Sequence, residues 1–172
     1  MGVDAASGEF ASVSRDAGYY EVRFERMLHY EQSEVWEMLT TPARLAEWLA
    51  PGEIELRGGG RVALHFADSG TVIDSAVSVC EAPGVVGYSW SAPGEPERPL
   101  RWETFAEGTA TRVVLTARIP EDEDVTKTCA GWEAHLAMLQ AALHGSPIEF
   151  PFERFQAARE AYRERVQAAA GG

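Results

Sequence analysis

Two side chains in this sequence could do acid–base or anion chemistry from an apolar setting: Arg26 and His135. In YYEVRFERMLHY, Tyr20, Val22, Phe24, Arg26, Leu28 and Tyr30 alternate onto one face, with Glu21, Arg23, Glu25 and His29 on the other. That alternation reads as a half-buried strand with Arg26 on its apolar side. A guanidinium placed there needs a carboxylate or several carbonyls. A structural ion pair, or an arginine that snorkels from the strand end, is the favoured reading. The functional alternative is an anchor for a ligand carboxylate or enolate. His135 lies one turn from Trp132 and Leu139, beside a buried helix stripe. A satisfied boundary histidine is favoured there over general acid–base work. His65 alternates away from Leu64 and Phe66, and His29 and His144 read as exposed.

The aromatic residues are the second source of chemistry. Trp36, Trp48, Trp90, Trp102 and Trp132 are numerous for this length, and Tyr88 and Phe66 join them at inward-reading strand positions. Most such residues simply pack a core. The functional reading is an aromatic wall for a planar or apolar ligand, with Trp90 and Trp102 the best placed. The candidate cavity set is therefore Arg26, Trp48, Phe66, Tyr88, Trp90, Trp102, Trp132, His135, Leu136 and Leu139. No His, Cys or acidic cluster has metal-ligand spacing, so neither a metal nor a cofactor is expected. No GxSxG occurs. The glycines 58–60 read as a hairpin turn followed by a strand, which is the wrong context for phosphate binding. Glu103 and Asp74 read as outward-facing and form no acid pair. Cys80 and Cys129 are too few for a disulfide framework and read as reduced, buried small hydrophobes.

The elements that must position these residues follow from pattern. After the first strand, Ser33 is expected to cap a short helix carrying Trp36 and Leu39. Thr41 and Pro42 start a second, whose apolar face is Leu45, Trp48 and Leu49. From Glu53 to Pro120, alternating segments separated by turns at Asp68-Ser69-Gly70, Ala82-Pro83-Gly84, Pro93-Gly94 and Glu107-Gly108 predict about six strands in an antiparallel meander. Val125, Cys129, Trp132, Leu136, Leu139 and Leu143 then recur at spacings of 4, 3, 4, 3 and 4, the stripe of one long helix. Asp122, Glu123 and Asp124 sit at its start, where the helix dipole favours anions. A twisted sheet of this kind needs a helix across one face. The fold class is α+β: a helix-grip fold, with a twisted antiparallel sheet wrapped around a long C-terminal helix and two short helices after strand one. Residues 1–18 read as a flexible leader, 19–146 as the domain, and 147–172 as an amphipathic extension with Phe155, Tyr162 and Val166 on one side.

These pieces, in this order, resemble the SRPBCC superfamily, also called START-like or birch-pollen-allergen-like. The branch they resemble is named for the activator of a heat-shock-protein ATPase. VRFERMLHYEQSEVWEMLTTPARLAEWLAP matches the entry strand and helix pair, and LRGGGRVALHF the glycine turn and following strand. GTATRVVLTAR matches the last strand, and AGWEAHLAMLQAALHG the long helix with Gly131-Trp132. The resemblance implies a cavity between sheet and long helix for lipids, polyketides or other hydrophobic small molecules. Some such proteins are aromatases or cyclases, and shared fold is not shared activity.

Composition bounds the remaining choices. A net charge of −12 on 172 residues repels phosphate backbones, which argues against nucleic-acid binding. No apolar run is long enough for a membrane span, and no export signal is read, so a cytoplasmic location is expected. The expected partner is a small hydrophobic molecule. A homodimer is compatible with the sequence, and a chaperone partner ranks third because no docking motif is present. Gly131 weakens its helix, so the backbone there is expected to lie close against the short helices around Trp36 and Trp48, where a Cβ would not fit.

Overall fold

The alternation of the first apolar segment is preserved in space. In the computed structural model, which describes residues 10–171, β2 (Tyr19–Leu28) buries Val22, Phe24 and Leu28. The strand before it, β1 (Ser12–Asp16), is followed after β2 by α1 (Gln32–Thr40) and α2 (Pro42–Trp48). The meander then runs β3 (Gly52–Ile54), β4 (Arg61–His65), β5 (Val72–Glu81), β6 (Val85–Ser89), β7 (Pro99–Glu107) and β8 (Ala110–Pro120). Two helices complete the chain, α3 (Val125–Leu143) and α4 (Phe152–Gly171).

The strands form one open antiparallel sheet in the order β1-β2-β8-β7-β6-β5-β4-β3. Its register builds the inner face in rows. Phe24 lies opposite Leu115, Leu115 opposite Trp102, and Trp102 opposite Val86. A second row runs Val22, Ala117, Leu100, Tyr88 and Val77. Directly opposed residues on antiparallel strands share a face, so each row is a continuous apolar strip under the helices. The expected α+β helix-grip architecture is the one observed, with α3 and the α1–α2 pair packed against the sheet.

Two local expectations are corrected. Residues 12–16 belong to no loose leader: they form an edge strand, Ser12 pairing Arg23 and Asp16 pairing Tyr19, across a turn in which Ala17 and Gly18 both adopt positive φ. SVSRD has no apolar alternation to announce a strand, because at an edge the neighbouring backbone supplies the pairing. The rest of the predicted leader, residues 1–9, lies outside the described residues. The cap of α1 is Glu31 rather than Ser33: its N–H donates to the Glu34 carboxylate, 3.2 Å away, while its carbonyl accepts from Glu34 and Val35. This acidic version of a capping box satisfies the first turn without a hydroxyl. The C-terminal segment is amphipathic as expected: α4 buries Tyr162 fully, with Phe155 and Val166 packed against the core.

The long helix keeps its predicted phase, with Val125, Cys129, Trp132, Leu136 and Leu139 buried. Asp124 caps it, accepting from the N–H groups of Thr126 and Lys127. Arg159 of α4 reaches the other carboxylate oxygen at 2.6 Å. The Thr126 hydroxyl above all, together with Arg159 and Lys127 N–H, holds the Asp124 carboxyl down to about 2 against its partial desolvation. Cys80 and Cys129 are both free thiols, and burial pushes both up.

Candidate functional site

Where α3 crosses the sheet, Trp132 is surrounded by other rings. Trp90, just past the end of β6, approaches it edge-on with centroids 4.9 Å apart. Phe66, just past β4, meets Trp90 at 5.8 Å and His135 at 5.9 Å. His135 is one turn along α3, 6.0 Å from Trp132. The four side chains thus close a circuit. Three of the four contacts are edge-to-face and the Trp132–His135 contact is tilted; an edge-to-face pair sets a ring's positive edge against a negative face, which fixes orientation beyond simple burial.

This circuit borders a cavity of about 640 Å³, whose apolar wall also includes Leu100, Ala117, Ile119, Gly131 and Phe155. Its rim is polar, with Ser69, Thr71, Arg98, Arg118, Glu123, Asp124, Lys127 and Thr128. Such a volume suits a small organic molecule. Arg98 grips Glu123 through two hydrogen bonds of 2.8 Å and also meets Glu95, so the β6–β7 connection is fastened to the start of α3 at the cavity edge. That pairing raises the Arg98 pKa. A second cavity, about 820 Å³, shares Phe66, Ser69 and His135 with the first. Its other walls are Leu49, Ala50, Pro51, Ala67, Asp68 and Met138, with Glu149, Phe150 and Phe152 from the segment that follows α3. Phe150 lies 5.6 Å from the His135 ring, so this imidazole has an aromatic neighbour on each side.

His135 is polar in an apolar setting, and α2 accounts for its orientation. Its Nδ1 lies 2.9 Å from the carbonyl oxygen of Trp48. That carbonyl is exposed because α2 ends there, and the last carbonyls of a helix lack an intrahelical donor. Burial lowers the pKa of His135, although the Trp48 hydrogen bond opposes this.

Of the ten residues the sequence nominated, Phe66, Trp90, Trp132 and His135 are brought together on the first cavity's wall. The others are elsewhere. Trp102 is 1% exposed, sealed between Trp48 and Trp132 at 5.8 and 5.7 Å, so it supports the wall from beneath rather than forming it. Trp48 is held by its indole N–H, which donates to the Met38 carbonyl at 2.7 Å. Leu139 is core, and Tyr88 lies deep in the sheet, its hydroxyl buried without a well-formed hydrogen bond and its pKa raised by burial. Leu136 and Arg26 face a separate small space on the opposite flank of α3.

Arg26 makes the ion pair that was the favoured reading, and its partner was not foreseen. Its Nη2 donates to Glu133 Oε1 at 2.6 Å, both side chains being nearly inaccessible. The Tyr162 hydroxyl donates to the other Glu133 oxygen and accepts from Ala11 N–H at 2.7 Å. Desolvation first, and then Glu133, push the Tyr162 pKa up. The only sequence signal for Glu133 is its position, four residues after Cys129 and three before Leu136, inside the buried stripe. Phe150 was missed as well, and its signal is the cluster of Phe150, Phe152 and Phe155 after the helix-ending Gly145 and Pro147. The expectation for Gly131 is overturned: a Cβ there would meet nothing within 4 Å, because Gly131 faces the cavity rather than α1 or α2.

Among the described residues no helix is long and apolar enough to cross a membrane. The fold is shared with solved structures. The crystal structure of CalU16 from Micromonospora echinospora matches with a TM-score of 0.74 and 22% identity, over 90% of this chain and 96% of that one. A protein encoded by gene BPP1335 from Bordetella parapertussis matches at 0.71 and 29%, over 91% of each chain. DynU16, from the dynemicin biosynthetic locus, matches at 0.67 and 26%, over 77% of this chain and 49% of its own. No curated protein is recognisably similar in sequence. The model for activator of Hsp90 ATPase homolog 1-like proteins matches residues 29–144, from the end of the entry strand to the end of the long helix, and the chain belongs to that family, within the SRPBCC superfamily.

Proposed function

We propose that this protein binds a small apolar molecule, planar or aromatic, in the cavity between α3 and the sheet. The observation that carries this reading is the circuit of Phe66, Trp90, Trp132 and His135 around about 640 Å³ of space. Rings held edge-to-face present apolar surface at little conformational cost and accommodate a flat guest. Likeness to DynU16, a protein of a biosynthetic locus, favours a metabolite over a structural lipid.

A cyclase-like enzyme is the second reading, favoured by a histidine in the wall. It ranks lower because both carboxylates at the rim are engaged, Glu123 by Arg98 and Asp124 by Arg159. Neither is therefore free to act as an acid beside His135, and Asp68 and Glu149 of the second cavity make no hydrogen bond to it among the described residues. Titration of the protein with naphthalene and with anilinonaphthalene sulfonate, followed by tryptophan fluorescence and by probe emission, tests the binding reading. Saturable binding to the wild type is expected. Gly131→Leu, which places a side chain in the space without removing any of the wall, is expected to abolish it while the far-ultraviolet circular dichroism is unchanged. Absence of saturable binding, or binding indifferent to Gly131→Leu, would count against this cavity as the site.

A further inference from the structure

We propose that the cavity selects guests bearing a phenolic or enolic hydroxyl, and that Nε2 of His135 is the acceptor that recognises it. This deepens the binding reading above and rests on it.

The argument begins at the other ring nitrogen. Nδ1 of His135 lies 2.9 Å from the Trp48 carbonyl oxygen. A carbonyl can only accept, so Nδ1 carries the proton. In a neutral imidazole the second nitrogen then holds a lone pair and no hydrogen. Burial disfavours the charged form, and the pKa of His135 is lowered accordingly. Nε2 is thus an acceptor at neutral pH, and the end of α2 holds it in that state.

The surroundings leave this acceptor unused. The rings nearest the imidazole are Phe66, Trp132 and Phe150. Two of them have no donor, and the Trp132 indole makes no hydrogen bond to it. Among the described residues Nε2 has no hydrogen-bond partner, yet it is not sealed from solvent, and His135 lines both cavities. A guest entering the aromatic circuit displaces whatever water serves Nε2. A guest without a donor would leave that lone pair desolvated and unpaired, which is the penalty that lets a polar site reject an analogue lacking its hydroxyl.

The chemistry of the donor narrows further. A carboxylate would bring a second acceptor against the lone pair. An ammonium gains from the ring faces but sheds far more hydration than a hydroxyl, and the rim carboxylates Glu123 and Asp124 are already paired with arginines. A hydroxyl on a flat ring fits both features at once, with its ring against Trp132 and Phe66 and its O–H toward Nε2. Phenols and enols combine these in one molecule.

The test compares naphthol with its methyl ether, which keeps the ring and the oxygen and removes only the donor. Wild-type protein is expected to bind naphthol about threefold to tenfold more tightly than the ether, the range for one neutral hydrogen bond, although the ether is the more apolar. In His135→Phe the preference should vanish with affinity for the ether retained. In His135→Gln, whose amide can donate to Trp48 and accept from the guest, part of it should survive. Equal binding of the two probes by the wild type, or a preference that persists in His135→Phe, overturns this proposal and leaves the cavity reading intact. Failure of both probes to bind removes the cavity reading and this proposal with it. A variant-independent measurement guards against misfolding: long-range ¹⁵N–¹H spectra of the wild type should show Nδ1 protonated and Nε2 bare. A protonated Nε2 in the free protein would also overturn the proposal.

Discussion

Trp132 and Glu133 are adjacent on α3 and almost equally hidden, at 4% and 8% exposure, yet they open onto different regions. Around Trp132 the contacts are ring against ring, and space is left over. Around Glu133 the contacts are charged and hydrogen-bonded: its two oxygens receive Arg26 from β2 and Tyr162 from α4, and Tyr162 in turn holds Ala11 N–H just before β1. A buried carboxylate is tolerable only when its oxygens are satisfied, so that flank is drawn together around paired groups and keeps only a small space of about 210 Å³. The aromatic region carries no such demand and can remain partly empty, with one unused acceptor in its wall. The comparison teaches that one helix can bind the shell together on one flank while holding a cavity open on the other, the two duties separated by a single residue step of about 100°.

Variants on each flank should break the comparison or sharpen it. Glu133→Ala removes the carboxylate shared by Arg26 and Tyr162. It is expected to destabilise by about 3–5 kcal/mol, the range for breaking a buried ion pair from one side. Urea unfolding would read this, and naphthol affinity of the folded fraction should stay within about twofold if the flanks are independent. A larger change would show that the two regions are coupled. Trp132→Ala is expected to cost about 3 kcal/mol, the lower end for a buried aromatic because part of the indole already faces open space, and it should abolish probe binding.

Tyr162→Phe keeps the ring and removes the hydroxyl that joins Glu133 to Ala11. A loss of about 1–2 kcal/mol is expected, with faster hydrogen exchange at Ala11 N–H and unaltered probe affinity. Gly131→Ala should act in the opposite sense on stability. With no neighbour to meet the new methyl, helix propensity alone should raise stability by up to about 1 kcal/mol, while the methyl narrows the cavity and weakens binding. A lowered melting temperature would mean that α3 packs more closely there than the geometry indicates.

The smallest expected effect is a pH dependence that differs between the flank of His135 and the helix cap. The folded state holds the pKa of His135 below its ordinary value. As pH falls through about 6.5, the unfolded chain takes a proton that the folded protein refuses, so stability declines with acidification in that window. Asp124 has the usual carboxylate sign at lower pH: held down to about 2, it contributes stability that is lost as pH falls from about 4 toward 2. Thermal melts across pH should show both slopes. His135→Gln should flatten the first alone, and Asp124→Asn the second alone.

Much of this was legible in the chain. Alternation in YYEVRFERML placed Arg26 on the inner face, and the 4-3-4-3-4 stripe set the phase of α3 correctly at Trp132. Periodicity reports which side of an element faces inward, because that follows from backbone geometry within a few residues. It carries no information about what lies opposite. Trp90 and Trp102 both read as inward-facing, yet Trp102 is capped by Trp48 and Trp132 while Trp90 borders open space. The edge strand β1 was invisible for the related reason that its pairing is supplied by β2 rather than by its own composition. Sequence alone determined the order of elements, their inward faces and the presence of an arginine that had to be neutralised. Tertiary structure alone decided that the neutralising group is Glu133, 107 positions away, that the Trp48 carbonyl orients His135, and that a void rather than a side chain fills the space beside Trp132. A contact or a cavity is the joint outcome of every chain segment that converges on a point, and no local pattern contains that sum.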